Sequence, residues 1–156
     1  MAIEIERKYL VTSGAWRAEA ADVTLLRQGY LVTGPDCAIR VRVSGSQAWL
    51  TIKGKPVKGA ALEFEYPVPL EDASAILANL AQRPQIEKNR HRVFRDNLIW
   101  EIDEFFGDNA GLILAEVELD DADAVISLPE WIGKEVTGDP RYYNANLVAN
   151  PYSRWK

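Results

Sequence analysis

What most constrains this chain is a two-residue alternation, repeated in run after run, in which one parity is largely apolar and the other is rich in full charges. The runs are IEIERKYLV at 3–11, TLLRQGYLV at 24–32, AIRVRVS at 38–44, QAWLTIK at 47–53, ALEFEYPV at 61–68, IEKNRHRVFR at 86–95, LIWEIDEF at 98–105 and LILAEVELD at 112–120. Successive side chains on a strand point to opposite faces, so each run reads as a strand with two unlike faces. Ser44-Gly45-Ser46 and Asp96-Asn97 are short enough to turn hairpins, which makes sequence neighbours antiparallel.

Three stretches lose the period and read as helix. Residues 13–21 offer Ser13 as a cap, residues 71–82 (EDASAILANLAQ) place acids at the positive end of a helix dipole, and PEWIGKEV opens on Pro129. A short helical turn is expected at 144–148, ahead of Pro151. Eight strands and a few helices predict a mainly β, α+β chain built as an eight-stranded antiparallel barrel, closed or nearly so, with flanking helices. No repeat, linker or low-complexity stretch divides the 156 residues, so one domain over 1–156 is expected.

Composition narrows the chemistry. Cys37 is the only cysteine, so no internal disulfide forms, and a reducing, cytoplasmic setting is the default expectation. His91 is the only histidine, which rules out His/Cys zinc cages and leaves oxygen ligands for any metal. A net charge of −5 gives no overall attraction to nucleic acid. No apolar run is long enough to span a bilayer, and the N-terminus reaches Glu4 without the pattern of a secretory signal.

The polar parity carries the information. It holds Glu4, Glu6 and Lys8 on the first strand, Arg40 and Arg42 on the third, Lys53 on the fourth, and Glu63 and Glu65 on the fifth. Lys88, Arg90 and Arg92 follow on the sixth, Glu101 and Asp103 on the seventh, and Glu116 and Glu118 on the eighth. For one strand, a solvated face explains such a pattern. For the whole set it does so poorly, because solvent faces mix in Ser, Thr and Gln, and an open sheet would also need its edges protected. In a closed barrel these charges point inward, and an unpaired buried ion costs several kcal/mol. They must therefore line a wet cavity and meet a ligand of both signs. A polyanion bound with divalent cations is such a ligand: cationic side chains take phosphate oxygens and carboxylates take the metal. Residues i and i+2 stand roughly 6.5 Å apart on a strand, so a pair such as Glu4/Glu6 can converge on one hard cation.

These residues resemble the CYTH domain superfamily, also called triphosphate tunnel metalloenzymes. EIERK matches the ExExK signature of that family, and the likeness continues in order through LRQGYL, IRVR, LTIK, EFEYPV, IEKNRH, WEID, AEVEL and the tail WIGKEVTGDPRYYNANL. The resemblance implies a tunnel that binds a triphosphate and hydrolyses or rearranges it with Mg²⁺ or Mn²⁺. It implies Glu4, Glu6, Asp103, Glu116 and Glu118 as metal ligands. It implies Lys8, Arg40, Arg42, Lys53, Lys88, Arg90 and Lys134 as the substrate grip. Glu63, Glu65 and Glu101 are candidate bases, Lys88 is a further catalytic candidate, and Tyr30 is either a catalytic tunnel residue near the phosphate or a barrel-packing aromatic.

The favoured reading is hydrolysis of inorganic tripolyphosphate to pyrophosphate and phosphate, since the short chain has no long insertion to cradle a nucleoside or an RNA. A class IV adenylate cyclase or a thiamine or nucleoside triphosphatase stays open within the fold. A non-catalytic polyphosphate- or nucleotide-binding module stays open as another class, although a binder has no need of four spaced carboxylates. The expected partner is a small-molecule triphosphate rather than nucleic acid or membrane, and pairing into a homodimer is compatible with such barrels. Arg92 and Glu65 sit near a rim, where solvation competes with function. His91 has the opposite parity from Lys88 and Arg90 and reads as packing, as do the five tryptophans.

Overall fold

The computed structural model describes residues 2–155, so Met1 and Lys156, the ends of the expected domain, lie outside the described residues. Its strands are β1 (Ile3–Val11), β2 (Asp22–Thr33), β3 (Cys37–Ser44), β4 (Gln47–Gly54), β5 (Ala60–Val68), β6 (Ile86–Arg95), β7 (Leu98–Phe105), β8 (Ile113–Glu118) and β9 (Ile132–Glu135). Two helices, α1 (Leu70–Asn79) and α2 (Asn144–Ala149), accompany them. The pairing order is β5-β4-β3-β2-β6-β7-β8-β1-β9, and β1 also pairs with β5, which closes eight antiparallel strands into a barrel. Asp96 and Asn97 both take positive φ, as the tight β6–β7 hairpin requires.

The closure is short. Ile3, Glu4 and Ile5 face Leu62, Ala61 and Ala60, and the backbone N–H of Glu6 donates to the carbonyl of Gly59 at 3.0 Å. Gly59 has a φ of +82°, and a Cβ there would stand 2.4 Å from the Glu6 carbonyl oxygen. Only glycine lets the β4–β5 turn approach β1 this closely.

Three apolar clusters fix the barrel. Trp16, Tyr9, Trp100 and Trp131 pack with Val93, Ile102 and Val117 outside β1 and β6–β8, with Trp100 edge-on to Tyr9 at 5.7 Å and to Trp131 at 5.9 Å. On the opposite side, α1 buries Ala73 and Leu77 against Val41, Val43 and Ala48. Gly29 on β2 makes room for that helix, because a Cβ there would meet Leu77 at 2.9 Å and Ala81 at 2.8 Å. The third cluster closes one end of the barrel: Leu147 of α2, Tyr142 and Val136 cover Ile86, Phe105 and Leu114.

Three expectations are corrected here. Residues 13–21 form only one tight turn, Ala15–Ala18, and the stretch from Pro129 is a strand instead of a helix. β5 leaves the C-terminal part of that β1 edge free, and β9 pairs there with Tyr9 and Val11. Gly133 permits it, since a Cβ at that position would stand 3.2 Å from the Leu10 carbonyl oxygen. Trp49 also departs from the packing role: it pairs with Arg42 and shares the parity of Thr51 and Lys53, on the inner face. Among the described residues, no helix is long and apolar enough to cross a membrane.

Candidate active site

Closure of the barrel sorts by sign what the sequence interleaves. β4, β3, β2 and β6 are consecutive around the wall and carry Lys53, Arg40, Arg42, Lys88 and Arg90. The remaining arc, β7, β8, β1 and β5, carries Glu101, Asp103, Glu116, Glu118, Glu4, Glu6, Glu63 and Glu65. Among the described residues, Lys8 is the one basic side chain on the inner face of the acidic arc. Both arcs face a cavity of about 350 Å³ lined by Glu4, Glu6, Lys8, Tyr30, Arg40, Arg42, Thr51, Lys53, Glu63, Lys88, Arg90, Glu101 and Glu116.

The basic arc is held by specific partners. Arg90 donates through Nε and NH2 to the two oxygens of Asp103, both at 2.8 Å, and through NH1 to Glu101 at 3.2 Å. Lys88 lies 2.7 Å from the same Asp103 carboxylate, and neither side chain reaches solvent. Burial works against the Asp103 carboxylate, but Arg90 and Lys88 outweigh it and hold its carboxyl below the usual range. Burial, reinforced by Arg90 and Arg42, pushes the Lys88 ammonium down to about 7 against the pull of Asp103. Burial, with Arg40 and Arg90 beside it, likewise pushes Arg42 down to about 9. Arg40 Nε is buried without a partner among the described residues.

The acidic arc is crowded and loosely tied. Lys53 reaches Glu4 at 2.7 Å and Glu6 at 3.5 Å, and Lys8 stands 3.7 Å from Glu116. Burial, then the Glu116 carboxylate, pushes Glu6 up to about 8. Burial and the neighbouring Glu4 push Glu63 up to about 7. Burial opposes ionisation of Glu116 too, yet Lys8, Arg90 and Lys88 hold it well below the usual range. Among the described residues, no three acidic side chains already stand as a ready ligand set, because lysines occupy the spaces between them.

A family model of the CYTH domain matches residues 2–152. The chain belongs to the CYTH domain family. An inorganic triphosphatase of Acetivibrio thermocellus is 47% identical over 156 residues, covering 100% of this chain and 99% of the relative. An inorganic triphosphatase of Nitrosomonas europaea is 34% identical over 150 residues, covering 93% and 96%. Among solved structures, an inorganic triphosphatase superposes with a TM-score of 0.65 at 32% identity, covering 95% of each chain. A Hippeastrum protein described as having a dominant triphosphatase activity shares the fold, at a TM-score of 0.62 and 16% identity over 76% of this chain and 80% of that one.

In this CYTH barrel, most of the residues expected at the site come together. Asp103 lies behind the lining, enclosed by Arg90 and Lys88. Glu65 and Glu118 stand exposed, away from the main cavity, with Glu65 accepting from Thr51 Oγ1 at 3.0 Å. Lys134 does not join the site: it is exposed on β9, outside the lining, because the tail runs there as an edge strand and not as a helix. Arg92 pairs with Asp22, its cross-strand partner, at an exposed position outside the main lining. His91 packs against Trp16 at 4.8 Å, on the outer face.

The expected set omits two uncharged groups in the CYTH site. Gln28, fully buried, accepts from Arg42 Nε at 2.8 Å, and its Nε2 donates to Asn144 Oδ1 at 3.3 Å. Lys88 donates to the same Asn144 oxygen at 2.9 Å, and Lys8 donates to the Tyr142 carbonyl at 3.2 Å. Gln28 shared the parity of Tyr30, a readable signal. Asn144 gave none, since only the docking of α2 brings it there.

Proposed function

We propose that this chain hydrolyses inorganic tripolyphosphate to pyrophosphate and phosphate inside the barrel, with Mg²⁺ or Mn²⁺ as cofactor, as one CYTH-like domain over residues 1–156. The observation that carries the reading is the facing of two arcs of opposite charge across one cavity. Cations pushed down by burial and by one another, and an Arg40 Nε without a partner among the described residues, fit a site for a multiply charged anion. A Glu6 carboxyl pushed up by burial and by the neighbouring Glu116 fits a site for a hard cation, whose oxygen donors would be Glu4, Glu6 and Glu116, with Glu118 at the rim. Bound there, the metal would neutralise phosphoryl charge and activate water for in-line attack.

The side chains supply the rest. Arg40, Arg42, Lys53, Lys88, Arg90 and Lys8 would hold the phosphoryl oxygens and stabilise charge as the anhydride bond breaks, its bridging oxygen leaving on pyrophosphate. Asp103 serves the grip by fixing Arg90 and Lys88. Of the three candidate bases, Glu63 combines a place in the lining with a carboxyl near neutrality, as proton transfer at physiological pH requires. Glu101 lines the cavity but is tied to Arg90, and Glu65 stands exposed. The curated relatives named as inorganic triphosphatases support the choice of substrate. A cytoplasmic setting is consistent with the single cysteine.

The test is phosphate release from tripolyphosphate, ATP and thiamine triphosphate, each with Mg²⁺ or Mn²⁺, with product chromatography for cyclic AMP. Tripolyphosphate is expected to lead. A preference for either organic substrate, or tight calorimetric binding without turnover under any metal, would reject the proposal.

A further inference from the structure

The proposed grip explains the charged lining but not the two neutral amides at the closed end of the barrel. We infer that Asn144 and Gln28 form a positioning relay that aims Lys88 and Arg42 at the substrate, so that the C-terminal segment shapes the phosphate grip as well as covering the barrel end. The inference rests on the triphosphatase reading and deepens it.

Donor counting supports the relay. A lysine ammonium has three N–H donors and no acceptor. Lys88 directs one donor to Asp103 at 2.7 Å and one to Asn144 Oδ1 at 2.9 Å. A single fixed bond would leave the ammonium free to rotate, whereas two fix it and leave the third N–H unspent for a ligand in the cavity that Lys88 lines. Arg42 is treated likewise: Gln28 Oε1 accepts from its Nε at 2.8 Å, which sets the guanidinium plane and leaves the terminal nitrogens for phosphate.

The amide orientations follow from the two cations. Arg42 Nε can only donate, so Gln28 must present its carbonyl there and its NH₂ toward Asn144. Lys88 can only donate, so Asn144 must present its oxygen, which also receives Gln28 Nε2 at 3.3 Å. Gln28 and Lys88 have no exposed surface, so bulk water does not substitute for a lost partner. Asn144 belongs to the tail and Gln28 to β2, so a link between elements far apart in sequence sets the aim of two basic-arc cations.

Asn144→Leu keeps the size and removes the acceptor, and Gln28→Met does the same from inside the barrel. Each is expected to raise KM for tripolyphosphate about tenfold, the scale of one charge-assisted hydrogen bond, with kcat within about threefold. The double variant should raise KM by less than the product of the two single effects, because the two amides are coupled through the Gln28–Asn144 bond. KM within about twofold of wild type in both variants, whatever happens to their melting temperatures, would overturn the relay, as would multiplicative effects in the double variant. If Asn144→Leu does not fold, Gln28→Met decides alone. A wild-type chain that turns over no tripolyphosphate counts against the function only, and calorimetric binding of tripolyphosphate then shows the same tenfold loss or its absence.

Discussion

The two arcs of the barrel are built to different standards of rigidity. On the basic side, Lys88 and Arg90 are pinned to Asp103 and Arg42 is pinned to Gln28, at 2.7–2.8 Å. On the acidic side, Glu4 and Glu6 meet only the Lys53 ammonium among the described cations, Glu116 meets Lys8 at 3.7 Å and Arg90 at 3.8 Å, and Glu6 keeps its proton near neutrality. Charges fixed in advance lose little freedom when an anion arrives. Carboxylates spaced by lysines and a proton form a site that a divalent cation completes by replacing them. The difference separates a pre-set phosphate grip from a metal site assembled on binding.

Arg90→Ala tests the rigid side and should have the largest effect. It leaves Asp103 buried with only Lys88 as a counter-ion, a loss on the order of 3–5 kcal/mol for breaking a buried ion pair. Urea unfolding should show that loss, and tripolyphosphate turnover should disappear. Glu6→Gln tests the loose side and should separate the two properties. Glu6 is raised to about 8, so at pH 7 the amide imitates the form the fold already holds, and stability should stay within about 0.5 kcal/mol. Metal-dependent kcat should nevertheless fall about a hundredfold or more, as for loss of a group that organises transition-state charge. Unchanged activity would remove Glu6 from the metal site, and a large loss of stability would show that its proton is not held as described.

A smaller effect distinguishes the arcs by pH. Glu6 and Glu63 are raised from 4.5 to about 8 and about 7, so between pH 5 and 7 the folded chain holds protons that the unfolded chain has released. Stability of the metal-free protein should therefore fall as pH rises across that window, by on the order of 1 kcal/mol. Lys88, lowered from 10.5 to about 7, acts in the opposite sense only above pH 7. Adding Mg²⁺ should flatten or reverse the slope, because the cation favours the ionised carboxylates. A metal-free urea midpoint that rises from pH 5 to 7 would contradict the crowding of the acidic arc.

Much of this was legible in the sequence, and for a physical reason. Period two is a local property, so Glu4, Glu6, Arg40, Arg42, Lys88 and Arg90 declared their common face without any knowledge of the fold. The sorting of signs was not local. It depends on β2 pairing with β6 across α1, and on β1 pairing with both β8 and β5. β9 was misread because four residues with a glycine among them carry little periodic signal, and the free edge of β1 decides their state. Asn144 could be read only as the start of a short helix, since its partners Lys88 and Gln28 lie 56 and 116 residues away.

The smallest expected effect lies where the tail passes from strand to closed end. Lys134 is exposed on β9, whereas Asn144, ten positions later in the numbering, reaches two buried side chains. Lys134→Ala should leave KM and kcat for tripolyphosphate within about twofold, as for an exposed side chain away from the grip. The ammonium adds one positive charge near a polyanion, but at an exposed position salt screens it, so any residual rise in KM should vanish at 0.15 M ionic strength. A tenfold rise that survived added salt would mean that β9 swings its lysine to the cavity when substrate is present. The grip would then extend to a part of the tail that the closed end of the barrel does not hold.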